Sequence, residues 1–110
     1  MKFGITLEPQ GTTYDDVLKV AEEADALGFD SVWLPDHFFF SQEPYHECWT
    51  TLASIAEATN HVRLGQMVLC NSYRNPALLG KMAATLDAVS NGRMTLGLGA
   101  GWHQQEYDAY

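Results

Sequence analysis

Alternation of short apolar runs with helical patterns, at a period of about thirty residues, is the feature that most restricts how this chain of 110 residues can fold. Apolar runs that favour strands begin near residues 3, 31, 63 and 94, and a segment with helical spacing follows each of the first three. Strand–helix–strand units of this length are typical of right-handed connections between parallel strands. The sequence therefore predicts an α/β fold built on a parallel sheet.

Three helices are predicted from apolar spacing and from signals at their ends. The first begins after Thr13, which stands three residues before Asp16 as in a capping box, and it ends at Gly28. The second spans Cys48–Ala58, and the third begins at residues 75–76, an N-cap residue followed by proline, and ends at residues 91–92. The strands are expected at residues 3–7, 31–34, 62–70 and 94–98, followed by a polar, aromatic tail at 99–110.

Four strands with three helices match either the N-terminal half of a (β/α)8 barrel or a small open sheet, because a whole barrel needs about 250 residues. The loops favour the half-barrel. Residues 36–47 form a long aromatic-rich loop after the second strand, whereas the turns at the opposite end of the sheet are short. Since functional residues in such folds follow the carboxyl ends of the strands, one working face is predicted. We expect residues 1–110 to form a single, incomplete (βα)4 barrel segment.

Composition excludes several classes of partner. The chain has 6 Lys and Arg against 14 Asp and Glu, a formal net charge of -8, so we expect no binding to nucleic acid or to an anionic membrane. No apolar run approaches about eighteen residues, and the first ten residues carry Glu8, so neither a membrane span nor a secretory signal is predicted. Cys48 and Cys70 lack CxxC spacing and are expected to be reduced structural thiols. A cytoplasmic location is the resulting expectation.

The candidate chemical residues follow the predicted strands. They are Glu8 after the first, Asp36 and His37 after the second, Asn71 and Arg74 after the third, and Trp102 and His103 after the fourth. His37 beside Asp36 is a candidate general acid or base whose partner carboxylate tunes its pKa; the alternative is a surface dipeptide with a helix-capping Asp. Arg74 is the one basic residue on this face, and so the candidate contact for a cofactor phosphate.

Other chemistries find less support. His46 and Cys48 are spaced as possible ligands, but no second pair with zinc spacing exists, so no metal site is predicted. The Gly-x-Ser-x-Gly pattern of serine hydrolases is absent. The glycine-rich residues 97–101 end in Trp102, where a dinucleotide fingerprint requires Gly or Ala. These glycines more simply allow a close backbone approach.

Three segments occur in order over essentially the whole chain: DSVWLPDH at residues 30–37, VLCNSYRNP at 68–76, and the stretch from NGRM to GAGW at 91–102. Together they resemble the N-terminal part of the luciferase-like monooxygenase superfamily, and most closely its oxidoreductases dependent on the deazaflavin coenzyme F420. The resemblance implies a TIM (β/α)8 barrel of which this chain is the N-terminal half. It also implies hydride transfer between F420, or alternatively FMN, and a small organic substrate.

The resemblance further implies roles for individual residues. Asp36 and His37 match the family's active-site pair, with His37 the catalytic proton donor or acceptor. Cys70 and Asn71 match the end of the third strand, where F420-dependent members have a bulge with a non-prolyl cis peptide behind the ring. The implied cofactor-binding residues are Cys70, Asn71, Arg74, Gly101 and Trp102, and the implied substrate pocket holds Glu8, Phe38, Trp102 and His103. Trp102 stands where sugar-phosphate-oxidising members have a catalytic Glu, which argues against that reaction and leaves Glu106 as a candidate substitute.

A half-barrel leaves its first and last strands with unpaired edges and exposes the inner apolar face of the sheet. The sequence therefore predicts a homo-oligomer that forms through the exposed sheet edges. The alternative function is a non-catalytic half-barrel fragment, or a self-assembly module, that lacks the site for the cofactor's tail.

Overall fold

Two parallel sheets organise the computed structural model, which describes residues 1–110. The larger sheet has the order β1 (Gly4–Thr6), β2 (Ser31–Leu34), β3 (Arg63–Gln66) and β5 (Met94–Thr95), and the smaller one pairs β4 (Leu69–Cys70) with β6 (Leu98–Gly99). The helices are α1 (Tyr14–Ala26), α2 (Cys48–Ala58), α3 (Pro76–Val89) and α4 (Gln104–Ala109). The register aligns Val32 with Ile5 on one side and Leu64 on the other. The predicted α/β class with parallel βα units is confirmed.

The helix ends follow the local signals in the sequence. The Thr13 hydroxyl accepts the Asp16 N–H, as in a capping box, and donates to the Asp16 carboxylate. Gly28 follows α1 with a φ of 80°, which glycine adopts without the steric penalty of a side chain. The Asn75 side chain caps α3 directly before the proline. None of the helices is both long and apolar enough to cross a membrane; the cytoplasmic location stays a prediction.

The apolar core lies between the larger sheet and helices α1, α2 and α3. Val32, Leu34 and Leu64 are fully buried on the side of the sheet that faces the helices. The opposite side is less apolar than predicted, because Trp33 is the one large apolar side chain of its strands and lies among Arg63, glycine, serine and threonine. A Cβ at Gly65 would lie 2.5 Å from Cζ3 of Trp33, so this strand needs glycine beneath the indole.

The third and fourth predicted strands are each interrupted. The Met67 N–H donates to the Leu34 carbonyl and the Leu69 N–H to the Gly97 carbonyl, so residues 67–68 carry the chain from the larger sheet to the smaller one. This two-residue connection, Met67 and Val68, is the bulge of the chain. The Met67–Val68 peptide is cis. The expectation that this feature lies at Cys70 and Asn71 was wrong by three residues, because pairing with β6 starts already at Leu69.

Residues 99–110 do not form the predicted tail. Gly99 ends β6, and Gln104–Ala109 form helix α4. This helix buries one residue, the charged Glu106, so it has no apolar periodicity from which it could be predicted.

Asp25 connects α1 to the turn that precedes β3. Its carboxylate accepts the backbone N–H groups of Asn60, His61 and Val62 at 2.9, 2.8 and 2.7 Å. Burial tends to raise the pKa of Asp25, but these three N–H donors outweigh it, and the pKa lies below its usual value. The ionised carboxylate therefore satisfies the donors of a turn that has no other partners for them.

Candidate functional site

A cavity of about 100 Å³ lies at the carboxyl ends of the strands. The predicted site residues that line it are Asp36, His37, Cys70, Gly101 and Trp102, and they are joined there by Pro35, Met67, Val68, Tyr73 and Glu106. The predicted face is thus the one on which these residues meet. Asn71 lies apart, exposed on the short helical turn that follows β4.

Glu106 is the central residue of this cluster, and its side chain is 1% exposed. One carboxylate oxygen lies 2.7 Å from Nδ1 of His37 and accepts the Tyr73 hydroxyl at 2.9 Å. The other oxygen accepts the backbone N–H groups of Phe38 at 2.5 Å and Phe39 at 3.3 Å. Through this one side chain, α4 holds the start of the loop at residues 36–47.

The hydrogen bonds keep Glu106 ionised. Burial tends to raise its pKa, but the donors from His37, Phe38 and Tyr73 outweigh burial and bring the pKa below its usual value. Burial and the same carboxylate raise the pKa of Tyr73, so its hydroxyl remains a donor. Because a carboxylate only accepts hydrogen bonds, Nδ1 of His37 carries a proton, and Nε2 remains for chemistry.

Asp36 is not the carboxylate partner of His37. It is buried, accepts the Cys70 N–H at 2.9 Å, and binds Arg74 through two hydrogen bonds of 2.6 and 2.9 Å. Side chains of consecutive residues in an extended segment point to opposite sides, which separates Asp36 from its neighbour. Pairing the two from their adjacency in the sequence was therefore wrong; the partner carboxylate is Glu106.

Arg74 is not a free cation at this face. Besides Asp36, its guanidinium binds the Glu47 carboxylate at 2.8 Å, and its side chain is 9% exposed. Burial alone would lower the pKa of Arg74, but the two carboxylates raise it. The prediction that Arg74 contacts a cofactor phosphate conflicts with this geometry, because its charge is already compensated inside the protein.

Of the remaining predicted residues, some pack against other side chains of the protein and others line the cavity. Phe38 stacks on Tyr73 with ring centroids 4.4 Å apart, so it packs the loop instead of lining the cavity. Cys70 is buried, with its thiol 3.4 Å from the Ala100 carbonyl oxygen, and both cysteines are unpaired as predicted. Trp102 is 69% exposed at the rim, and His103 packs beside it.

A second cavity, of about 190 Å³, adjoins the first. It is lined by Glu8, Gln10, Pro35, His37, Phe40, Tyr45 and Trp102. Pro35, His37 and Trp102 line both cavities. Glu8, the predicted substrate-pocket residue at the end of β1, therefore lies in the second cavity and not beside the bulge.

His37, His103 and Glu106 place three possible metal ligands within 4.8 Å of one another. Both oxygens of Glu106 already accept hydrogen bonds, one of them from His37 at 2.7 Å. Nδ1 of His103 lies 3.4 Å from the same carboxylate, but it is buried and has no hydrogen-bond partner. The absence of a metal site stays a prediction.

The assembly of the site was not predicted from the sequence. Glu106 was expected only as a substitute for an absent glutamate, Tyr45 only as part of the aromatic-rich loop, and no role was expected for Tyr73. No local pattern places residue 106 against residue 37, because the contact depends on where α4 packs. An isolated glutamate in a polar segment has the same appearance as a surface residue.

Comparison with known proteins decides the family. The model of the luciferase-like monooxygenase family matches residues 1–110. The chain belongs to this family. A curated luciferase-like relative, the F420-dependent glucose-6-phosphate dehydrogenase of Amycolatopsis mediterranei, is 39% identical over 90 residues, which cover 78% of this chain and 27% of that protein.

Solved structures of luciferase-like enzymes match the fold. A monooxygenase of Streptomyces bottropensis superimposes with a TM-score of 0.88 and 31% identity, covering 99% of this chain and 36% of that one. The oxygenating component of 3,6-diketocamphane monooxygenase from Pseudomonas putida, solved with FMN, gives a TM-score of 0.86 and 26% identity, covering 99% and 32%. These neighbours are TIM barrels, and the chain spans about a third of their length. That residues 1–110 are an incomplete barrel segment stays a prediction.

Proposed function

We propose that this chain supplies the acid–base group and part of the ring-binding surface of an oxidoreductase that transfers hydride between F420, or alternatively FMN, and a small organic substrate. The observation that carries the proposal is the hydrogen bonding of the two ring nitrogens of His37. Its Nδ1 is held by the buried Glu106, its Nε2 has no hydrogen-bond partner in the chain, and the residue lines two cavities. Homologues that use F420 and FMN support the class of cofactor.

The residues around the bulge suit a flat aromatic ring. Met67 and Val68 are 53% and 47% exposed, so the chain presents apolar surface at the edge of the cavity that holds His37. A Cβ at Gly99 would collide with the Val68 side chain, so glycine at this position lets the two segments approach closely. We propose that Met67, Val68 and Trp102 hold the ring.

The basic residues of the chain are not placed to bind the cofactor's phosphate. Arg74 is committed to Asp36 and Glu47, and Lys2 and Arg63 lie at the amino ends of the strands, around a different cavity. The proposal therefore assigns the ring to this chain and no phosphate contact to Arg74. Asn71 remains a proposed contact, since it is exposed at the carboxyl end of β4.

The cofactor, when bound, supplies or accepts the hydride. His37 donates or accepts the proton that accompanies the hydride at the substrate's heteroatom, through Nε2. Glu106 holds the imidazole ring in position and compensates the positive charge of the protonated ring. The aromatic side chains around His37 limit the access of water to the site.

His37→Ala tests the acid–base role. Turnover of a panel of small alcohols and carbonyl compounds, followed through the absorbance of F420 or FMN, should fall by about 10²–10⁴-fold, while the binding of the cofactor remains. His61→Ala is the matched control, since His61 is exposed in the turn before β3. Unchanged turnover in His37→Ala would remove His37 from the reaction, and the absence of any spectral change with either cofactor would remove the cofactor assignment.

A second candidate function, that of a self-assembly module, rests on the edges of the larger sheet. β1 and β5 each pair on one side only. Phe3, Leu78 and Val89 are between 50% and 60% exposed, which is apolar surface available to another copy. We expect light scattering at micromolar concentration to show a dimer or larger species. A monomeric chain would contradict the role as a self-assembly module. If self-assembly were the sole function, the oligomer would bind neither F420 nor FMN.

A further inference from the structure

We propose that the cavity beside Glu8 binds a positively charged group of the substrate, such as an ammonium or an N-alkylated heteroaromatic ring. The proposal rests on the function proposed above and names the class of substrate. It follows from what lines the cavity: one exposed carboxylate, three aromatic side chains and no lysine or arginine.

The charges around the cavity are negative. Glu8 is exposed, and its carboxylate accepts only the Gln10 backbone N–H, at 3.2 Å. Arg74, the one arginine on this face, is bound by two carboxylates and offers no compensation. Burial and the negative charge of Glu8 both raise the pKa of Tyr45, in agreement with this field. A cation that enters the cavity meets an unpaired carboxylate, whereas an anion is repelled.

The aromatic side chains add a second attraction for a cation. Phe40, Tyr45 and Trp102 surround His37, with ring centroids 5.3, 5.7 and 5.7 Å from the imidazole. Because Trp102 is 69% exposed, part of the indole is open to a ligand. The negative face of an aromatic ring attracts cations, most strongly in tryptophan, and an adjacent carboxylate strengthens the site.

The location of the cavity makes this group part of a substrate. Pro35, His37 and Trp102 line both this cavity and the adjoining one at the bulge, where we place the ring of the cofactor. A cation held beside Glu8 therefore lies next to His37, on the side away from Glu106. The reacting carbon of such a substrate would lie between the cationic group and the bulge.

The test measures binding without cofactor or turnover. The full chain, labelled with ¹⁵N, is titrated with N-methylpyridinium and, separately, with toluene, which has the same shape without the charge, and with benzoate. We expect saturable shifts of the Trp102 indole N–H with N-methylpyridinium, and weaker or no shifts with the other two. Equal binding of toluene, or no saturable binding of N-methylpyridinium, would overturn the proposal.

Two variants locate the site. Glu8→Gln should weaken the binding of N-methylpyridinium by about three- to fivefold, as expected for an exposed ion pair. Glu22→Gln makes the same change of charge on the exposed surface of α1 and should leave the affinity unchanged. Equal affinities of the Glu8→Gln variant and the unmodified chain would refute the role of Glu8. The cofactor titration and the His37→Ala assay remain valid in either case, so the two proposals fail separately.

Discussion

The carboxylate of Glu106 lies 2.7 Å from Nδ1 of His37, a residue 69 positions earlier in the chain. This contact joins the last helix to the loop after β2, and it decides which nitrogen of the imidazole is free. It also explains why a short polar helix with one buried residue forms at all, since four donors converge on that residue. The proposed chemistry of His37 thus depends on a residue that carries no motif.

Replacing Glu106 by glutamine should reverse the tautomer of His37. The amide has one acceptor oxygen, and the backbone N–H groups of Phe38 and Phe39 cannot reverse their direction, so they should keep it. The NH₂ group then faces His37 and Tyr73, which can both become acceptors. We expect ¹⁵N spectra of the imidazole to change from the Nδ1–H to the Nε2–H form. The free energy of unfolding should fall by about 1–3 kcal/mol because charge-assisted hydrogen bonds are lost.

Asp108→Asn is the control for this substitution. It makes the same carboxylate-to-amide change on α4, but Asp108 is exposed and accepts a hydrogen bond only from the Gln104 side chain. Its effect on the free energy of unfolding should stay within about 0.5 kcal/mol. The assignment of Glu106 would be wrong if both variants were equally stable and the His37 tautomer were unchanged.

Removing Arg74 should destabilise the protein strongly. Arg74→Met leaves the buried carboxylate of Asp36 without its ion pair, which costs about 3–5 kcal/mol. The double variant Asp36→Asn/Arg74→Met removes the charge as well and should be more stable than Arg74→Met alone. Lys19→Met, on the exposed face of α1, controls for the loss of a positive charge. Urea unfolding measures all four proteins; a double variant no more stable than the single one would contradict this account.

The chain should lose stability in acid. Hydrogen bonds lower the pKa values of Asp25, Glu47 and Glu106 in the folded protein below their usual values of 3.8 and 4.5, although burial tends to raise them. As the pH falls below about 4.5, the unfolded chain takes up more protons than the folded one. The stabilisation is therefore complete above this pH and is lost as the pH falls through the folded pKa values.

Urea unfolding at a series of pH values from neutral to 3 checks this sign. Asp25→Asn should show a smaller loss in acid, because its three N–H partners no longer depend on an ionised carboxylate. Asp87→Asn, on the exposed face of α3, should follow the unmodified chain. Stability that does not change between pH 5 and 3 would contradict the assignment.

Two glycines should respond to alanine in opposite directions. A Cβ at Gly97 would collide with the carbonyl oxygen of Gln66, a backbone atom that cannot move without shifting the strand, so Gly97→Ala should cost about 1–3 kcal/mol. Gly80 lies inside α3, and a Cβ there would meet nothing within 4 Å. Gly80→Ala should stabilise the protein by about 0.5–1 kcal/mol. Thermal unfolding of both variants gives the signs, and a shared sign would refute the contact at Gly97.

Local signals were enough to locate the three long helices and the order of the strands. The Thr13 cap, the Gly28 stop and the Asn75 cap act over three or four residues, so their effect can be predicted wherever they occur. The period of strand and helix was enough for the parallel sheet, since short connections restrict the topology. The parallel sheet in turn predicts which loops form the site, because the loops after the carboxyl ends of its strands lie on one face.

The pairing of charges within the site could not be predicted in this way. Asp36 and His37 are neighbours in the chain, yet they point to opposite sides and bind Arg74 and Glu106 instead. Which carboxylate serves the imidazole, and whether the arginine is free for an anion, depends on how residues about 40 to 70 positions apart pack together. Backbone signals extend over one turn of helix, whereas electrostatic partners are set by the packing of whole elements, and that packing exists only in the folded chain.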